Sequence, residues 1–200
     1  VTTLRSGKVV ISDCVLYSAG RQSATKGLGL EAIGVQIAER GRLVVNERFQ
    51  TSVPHIYGAG DVIGFPGLAS TSARQGRLAA CHAFNLGDEL KEYPMPFGIH
   101  SIPEIAYVGI TEQKATEDGI PYETGIARYK EITRGHILGD RHGMLKILFH
   151  RETERILGIH IVGESATELV HIGQAVMAFN GDLSYFLNAV FNYPTLAECY

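Results

Sequence analysis

The pattern of apolar and polar positions is clearest in the second half of the chain. Alternating or continuous apolar runs typical of β-strands lie at 105–108, 122–129, 144–149 and 156–162. Helical spacing follows at 111–118, 165–179 and 183–191. The charged segment 150–155 between two of the strands predicts an antiparallel hairpin. This half therefore predicts an α+β domain, in which helices flank an antiparallel sheet.

Hydroxyl side chains precede several of these predicted helices. Thr111 and Ser165 are predicted N-caps, and Ser165 with Glu168 fits the spacing of a capping box. Thr195 is the predicted N-cap of a further helix that begins within 195–200.

The first half of the chain has a different rhythm. Residues 8–11 predict a hairpin strand, and 13–20 predict a buried strand that ends at a glycine. A short amphipathic piece at 28–33 and a strand at 43–45 follow, and a helix is predicted over 69–85. These alternating elements are typical of an α/β domain.

A glycine-rich stretch lies at the centre of this first half. The apolar segment 55–57 predicts a buried strand that ends at Gly58 and Gly60, and Asp61 follows. Glycine lets another molecule approach the backbone closely, and a carboxylate at the end of a strand can accept hydrogen bonds from sugar or polyol hydroxyls. A helix starting near Leu68 and Ala69 would direct its free N–H groups to the same place. The stretch therefore predicts half of a cofactor site.

Composition narrows the class of protein. The 200 residues are 45% hydrophobic and 20% charged, which predicts one or two globular domains. The net charge of −3, without a basic cluster, disfavours a dedicated nucleic-acid binder. No apolar run approaches the roughly 18 residues of a membrane span. Cys14, Cys81 and Cys199 are scattered in apolar settings, which predicts buried structural thiols in a reducing cytoplasm.

Three potential metal ligands lie in one glycine-rich loop. They are His136, Asp140 and His142, within the segment 134–143. Nothing around them has the spacing or the supporting residues of a metal centre, so we predict no metal site there.

Five motifs occur in order along the chain and resemble one known family. They are Ser18–Arg21, Ile56–Asp61, Gln75–Arg77, Ile102–Glu104 with Val108 and Gly109, and Tyr193–Thr195 with Glu198. Together they resemble the carboxyl-terminal half of the pyridine nucleotide-disulphide oxidoreductase family of FAD flavoproteins, to which glutathione reductase, lipoamide dehydrogenase and mercuric reductase belong.

The resemblance implies a fold with a defined domain order. It is the end of a flavoprotein with two dinucleotide-binding domains, followed by an α+β dimerisation domain. Residues 1–22 would end the NAD(P)-binding domain, 23–93 would be the carboxyl-terminal part of the FAD-binding domain, and 94–200 would build a homodimer. The segment 86–97, with its prolines and charged residues, independently predicts the boundary between the last two domains.

The resemblance also implies cofactor-binding residues. Asp61 would bind the ribityl chain of FAD, with Gly60 allowing close approach. The helix start at Leu68 and Ala69 would face the pyrimidine side of the flavin, where it would stabilise negative charge.

Gly20 and Arg21 would close the nicotinamide-nucleotide domain near the flavin. From the residues alone, Arg21 is either an anion-binding residue or an exposed turn arginine. The following Gln22 and Ser23 depart from the proline and asparagine that many relatives carry, which leaves the role of this turn open.

The last segment carries the most informative departure from the family pattern. Disulfide reductases of the family have a histidine–proline pair there, whereas this chain has Tyr193 before Pro194, and Glu198 matches the family's glutamate. Tyrosine, with an ordinary pKa of about 10, is a poor general base at neutral pH. Tyr193 would serve as a proton donor, stack on a nicotinamide, or pack under the partner's flavin. Glu198 would either take part in catalysis or only orient the segment.

Hydride transfer between two nicotinamides through a flavin needs no thiol proton chemistry. The segments 145–153, 171–175 and 191–195 further resemble a group within the family, the soluble pyridine nucleotide transhydrogenases, which pass hydride between NADPH and NAD+. The first hypothesis is therefore an FAD-dependent transhydrogenase whose carboxyl-terminal portion is this chain.

Two alternatives stay open. One is a dihydrolipoamide dehydrogenase-like enzyme, or another disulfide or metal reductase of the same family, whose cysteine pair would lie before Val1. The other is a dimerisation module without catalysis. The chain contains neither of the glycine-rich phosphate loops that bind FAD and NAD(P), so we expect these 200 residues alone to bind FAD weakly or not at all.

Overall fold

The computed structural model describes residues 1–86 and 93–200. The chain divides into two compact units, Val1–Asp88 and Glu89–Tyr200, which we call unit 1 and unit 2. Among the described residues, no helix is long and apolar enough to cross a membrane.

Half of the predicted boundary segment 86–97, residues 87–92, lies outside the described residues. The finer division of the first 93 residues into parts of two nucleotide-binding domains stays a prediction.

Unit 1 contains a small hairpin and one long helix. Strand β1 (Thr2–Thr3) pairs antiparallel with β2 (Val9–Val10), as the pattern at 8–11 predicted. Helix α1 spans Ala69–Ala83, which confirms the predicted helix and ends it two residues earlier. Short 3-10 turns lie between the hairpin and this helix, at Glu31–Ile33, Glu39–Gly41 and Gly60–Ile63.

The predicted strands at 13–20 and 43–45 are wrong. Residues 13–20 form no strand, and Val15, Leu16 and Tyr17 are 70%, 89% and 86% exposed. An apolar strand is buried only when neighbouring strands pair with it and other elements cover its faces, and no described strand pairs with this segment. Leu43 makes only an isolated antiparallel bridge with Ile37.

The cysteine prediction is wrong at one position for the same reason. Cys14 lies in this uncovered segment and is exposed, whereas Cys81 is partly buried and Cys199 is buried. Burial raises the pKa of the Cys199 thiol to about 12, so this thiol stays protonated at neutral pH.

Unit 2 is built on five strands, which are β3 (Phe97–Ile99), β4 (Ile105–Gly109), β5 (Tyr122–Arg128), β6 (Met144–His150) and β7 (Ile156–Val162). They form one antiparallel sheet with the strand order β3-β4-β7-β6-β5. The helices are α2 (Glu112–Glu117), α3 (Thr133–Leu138), α4 (Ala166–Ala178) and α5 (Leu183–Asn188). The predicted antiparallel sheet with flanking helices is therefore confirmed.

The sequence pattern did not predict strand β3 and helix α3 of unit 2. Strand β3 has only three residues, and its central Gly98 carries no side chain to mark a face. A Cβ atom at Gly98 would lie 3.0 Å from Thr167 Cγ2, so the glycine lets β3 pass close to the start of α4. Helix α3 lies in the segment that we interpreted as a glycine-rich loop.

Helix α4 covers one face of the sheet and closes the core. Val108, Ile159 and Val170 are at most 2% exposed. A Cβ atom at Gly173 would lie 2.4 Å from Ile159 Cγ1, so only glycine lets the helix approach β7 this closely.

The predicted N-caps Thr111 and Ser165 have different outcomes. Thr111 is confirmed, because its Oγ1 accepts the N–H of Lys114 at 3.1 Å. Ser165 is wrong, because its backbone is left-handed (φ 57°) and its side chain makes no capping hydrogen bond. Glu104 caps the start of α4 instead. Its Oε2 accepts hydrogen bonds from the N–H of Thr167 at 3.0 Å and from the Thr167 hydroxyl at 2.8 Å. These hydrogen bonds lower the pKa of Glu104.

Tyr200 joins the last described segment to α4. Its hydroxyl donates to the carbonyl of Leu169 at 2.7 Å and accepts the N–H of Gly173 at 3.1 Å. Residues four apart are the natural partners of an α-helical hydrogen bond, so the hydroxyl bonds both polar groups of one helical turn. Its ring also stacks on Phe186, with centroids 4.9 Å apart.

We predict that Tyr200→Phe lowers the free energy of unfolding by about 1–2 kcal/mol, because two backbone groups lose a buried partner. Urea denaturation followed by circular dichroism measures this change. Tyr185→Phe is the matched control, because Tyr185 is 50% exposed on α5 and should change stability little. Equal stabilities of the two variants would contradict the anchoring role of the Tyr200 hydroxyl.

Candidate functional site

The predicted cofactor residues of unit 1 lie around the 3-10 turn Gly60–Ile63. Tyr57, just before the glycines, forms an isolated antiparallel bridge with Gln50, so the predicted strand is reduced to a single pair. The chain turns at Gly60, continues through 64–67 and enters α1 at Ala69. This path places Asp61 in the turn that leads to the helix.

The two glycines of the central stretch make room for protein atoms. A Cβ atom at Gly58 would lie 3.0 Å from Ile63 Cγ2, and one at Gly60 would lie 3.0 Å from Ser72 Oγ. Gly60 also has a φ of +81°, which disfavours other residues. Its N–H donates to Gln75 Oε1 at 2.8 Å, so α1 holds the backbone immediately before Asp61.

Asp61 and Arg21, two residues singled out in the sequence, are in contact. Arg21 Nη1 lies 2.9 Å from Asp61 Oδ2, and their side chains are 82% and 40% exposed. An ion pair this exposed is screened by water and contributes at most about 1 kcal/mol. The Asp61 carboxylate is therefore accessible, and its present partner can be exchanged at little cost.

Ser23 holds the Arg21 segment beside the same turn. Its hydroxyl donates to the carbonyl of Val62 at 3.2 Å. Gly20, just before Arg21, has a φ of +95° and donates its N–H to the Ser18 carbonyl at 3.1 Å. This tight turn shapes the approach of Arg21 to Asp61.

Leu68 and Ala69 form the start of α1, as expected. Leu68 has an extended backbone, and its carbonyl accepts both the N–H and the hydroxyl of Ser72 at 2.8 Å. A leucine side chain offers no acceptor to the N–H groups of the first helical turn. A Cβ atom at Gly67 would lie 3.5 Å from Asp61 Oδ1, so the residue preceding Leu68 borders the carboxylate.

Tyr193 and Glu198, the predicted catalytic residues, lie in the last segment of unit 2. Tyr193 is 70% exposed, and its hydroxyl lies 2.6 Å from Thr133 Oγ1 at the start of α3. Glu198 accepts the N–H of Thr195 at 2.9 Å, and the Thr195 hydroxyl donates to the Asn192 carbonyl at 2.6 Å. These bonds shape the backbone on both sides of Pro194.

Sequence reasoning missed two contacts of these sites. Gln75 belonged to one of the five motifs, but its bond to Gly60 could not be read from spacing. Thr133 had no signal beyond its position before a glycine-rich stretch, and 60 residues separate it from Tyr193.

The three potential metal ligands do not converge. Asp140 Oδ1 accepts the N–H groups of His142 and Gly143 at 2.9 and 2.7 Å, and Oδ2 accepts that of Glu164 at 3.1 Å. Asp140 therefore ties two loops together. Within the described part of the chain, no cluster of three or more His, Cys, Asp or Glu residues could hold a metal ion.

The described residues also form an open groove of about 550 Å³ beside α5. It contains none of the predicted site residues and is lined by Gly181, Asp182, Ser184, Tyr185, Asn188 and Ala189.

Comparison with protein families gives two matches. The pyridine nucleotide-disulphide oxidoreductase dimerisation domain matches residues 95–200, and the pyridine nucleotide-disulphide oxidoreductase domain matches residues 1–76. The first match covers more than half of the chain.

Curated relatives match over the whole chain. A soluble pyridine nucleotide transhydrogenase from Mycobacterium bovis is 56% identical over 200 residues, which are 100% of this chain and 43% of the relative. One from Yersinia pestis is 52% identical over 206 residues, covering 100% of this chain and 44% of the relative. The chain thus spans less than half the length of these relatives.

Solved structures share the fold. LpdA from Mycobacterium tuberculosis superposes with a TM-score of 0.85 at 28% identity, over 98% of this chain and 43% of that one. RclA from Escherichia coli, described as an HOCl-induced flavoprotein disulfide reductase, gives a TM-score of 0.81 at 27% identity, over 90% of this chain and 42% of that one.

Proposed function

This chain belongs to the pyridine nucleotide-disulphide oxidoreductase family, and we propose that it forms part of an FAD-dependent transhydrogenase. Such an enzyme passes hydride between NADPH and NAD+. The names of the relatives that are 52–56% identical over the whole chain support this proposal. FAD, when bound, would supply a ring that accepts and returns the hydride.

The residues around Asp61 fit a polyol such as the ribityl chain of FAD. The Asp61 carboxylate is 40% exposed and can exchange its bond to Arg21 for bonds from hydroxyl groups. Gln75 fixes the preceding backbone through the Gly60 N–H. The N–H groups at the start of α1, from Ala69 onward, favour negative charge on a neighbouring ligand.

The contacts of Tyr193 are the observation that favours transhydrogenation over disulfide reduction. Its hydroxyl bonds to the neutral hydroxyl of Thr133, while the Glu198 carboxylate bonds to a backbone N–H. The segment thus contains no base paired with a carboxylate, the arrangement that acid–base chemistry on thiols uses. Hydride transfer needs no such pair, so these contacts favour transhydrogenation.

The natural protein at its full length tests the proposal directly. We predict that it oxidises NADPH with a thionicotinamide analogue of NAD+ as acceptor, measured by the absorbance of the reduced analogue. Lipoamide and glutathione disulfide should support little NADPH oxidation. The opposite pattern would favour the disulfide reductase alternative, for which the similarity to RclA speaks. Stoichiometric flavin bound to the isolated 200 residues would contradict the alternative of a dimerisation module without catalysis.

The role of Asp61 can be tested separately. We predict that Asp61→Asn in the full-length protein weakens FAD binding about 5- to 10-fold, because charge-assisted hydrogen bonds are about twice as strong as neutral ones. Fluorescence of released flavin measures the change. Asp118→Asn is the matched control, because Asp118 is an exposed unit 2 residue paired with Lys114. Equal flavin retention in the two variants would exclude a role for the Asp61 charge.

We further propose that unit 2 forms a homodimer through a surface near α5. The match to a dimerisation domain over 95–200 supports a second copy as the partner. Phe179, Leu187 and Val190, which we call the α5 surface, are 82%, 73% and 97% exposed. Apolar side chains this exposed gain most from burial against another subunit.

We predict that Val190→Asp makes the full-length protein monomeric, because a charge on the α5 surface would have to be buried in the dimer. Light scattering coupled to size-exclusion chromatography gives the mass. Ile126→Asp, at a 47% exposed position of β5, is the control and should stay dimeric. Dissociation by the Ile126 variant alone would place the interface on the sheet instead.

A further inference from the structure

We propose that Thr133 is a positioning residue that holds the ring of Tyr193 ready to stack on a planar nicotinamide or flavin ring. This inference rests on the proposed hydride-transfer function. The two hydroxyl oxygens lie 2.6 Å apart, although Tyr193 is 70% exposed. A tyrosine this exposed would otherwise move freely between rotamers.

The backbone end of Tyr193 is fixed by its neighbours in sequence. The Thr195 hydroxyl donates to the Asn192 carbonyl at 2.6 Å, and Glu198 accepts the Thr195 N–H at 2.9 Å. Leu196 and Cys199, next along the segment, are only 8% and 6% exposed and anchor it in the core. The Tyr193 ring is therefore attached to a backbone that hydrogen bonds hold in place.

The hydroxyl end is fixed just as firmly, because α3 packs against a buried residue. Tyr129 is fully buried, and its hydroxyl donates to the Glu164 carbonyl at 3.0 Å. A Cβ atom at Gly135 would lie 1.9 Å from the Tyr129 carbonyl oxygen, so the helix backbone lies directly on Tyr129. Thr133, two residues before this glycine, is thus attached to the core of unit 2.

A ring held at both ends suits stacking better than proton transfer. Its hydroxyl faces another neutral hydroxyl, whereas most of the side chain remains open. When a ligand ring stacks on a side chain that is already fixed, binding loses no conformational entropy from ordering that side chain. Loss of the Thr133–Tyr193 hydrogen bond, which we call the tether, should therefore lower kcat/KM for the nicotinamide substrate without changing the pH profile of kcat/KM.

Four variants of the full-length protein test this role. Thr133→Val removes the hydroxyl but keeps the shape, and Tyr193→Phe removes the other partner. Each should lower kcat/KM about 3- to 10-fold, the range expected for one lost hydrogen bond. The double variant should be no worse than either single variant, because both remove the same contact. Thr133→Ser keeps a hydroxyl and should restore most of the activity.

A second measurement is independent of catalysis. With 3-fluorotyrosine placed at position 193, the ¹⁹F NMR line should sharpen in Thr133→Val, because the untethered ring moves faster. It should stay broad in Thr133→Ser. Melting temperatures of all variants should remain unchanged, because the contact is on the surface.

The outcomes separate this inference from the proposed function. An unchanged ¹⁹F line and unchanged kcat/KM in Thr133→Val would overturn the positioning role alone. Additive losses in the double variant would also overturn it. Absence of transhydrogenase activity in the unmodified protein would contradict the proposed function, and with it the use of the tether in that reaction, even where the NMR line shows that the tether exists.

Discussion

The burial of Tyr129 is the constraint on which unit 2 depends most. The ring is fully buried, and burial raises the pKa of its hydroxyl, which is bonded to the Glu164 carbonyl. Cβ atoms at Gly143 and Gly163 would lie 2.2 and 2.7 Å from ring carbons. The loop before β6 and the turn before α4 therefore close around this ring, while Gly135 of α3 lies against the backbone of the same residue.

This packing explains which parts of the fold the sequence could predict. Strands β4 to β7 and helix α4 show clear periodicity, because each buries one face against the same core. Helix α3 was not predicted because glycine has a low helix propensity. Gly135 is placed in this helix by its close contact with the Tyr129 backbone. The strand predicted at 13–20 is wrong for the opposite reason. An apolar pattern indicates that burial of these side chains would be favourable, but burial as a strand requires neighbouring strands that pair with the segment.

The candidate sites were predictable to different degrees. The glycine–acid stretch predicted that Asp61 lies close to a helix start, and α1 begins eight residues later, whereas the pairing of Asp61 with Arg21 joins two residues that are 40 positions apart in sequence. The Thr195–Glu198 spacing is that of a capping pair, and the Glu198 bond to the Thr195 N–H agrees with it. The Thr133–Tyr193 contact had no local signal, because it depends on how α3 packs against the last segment.

Glu198 is the only carboxylate among residues 189–200, and its backbone contact bears on the reaction that we propose. Glu198 shapes the backbone through Thr195, and this role is the same whichever residue precedes Pro194. A histidine at that position would place a titratable base on a rigid support, which suits proton transfer to thiols. Tyr193 places a neutral ring on the same support and bonds it to Thr133. One side chain can therefore change the reaction that the segment serves while its backbone stays the same.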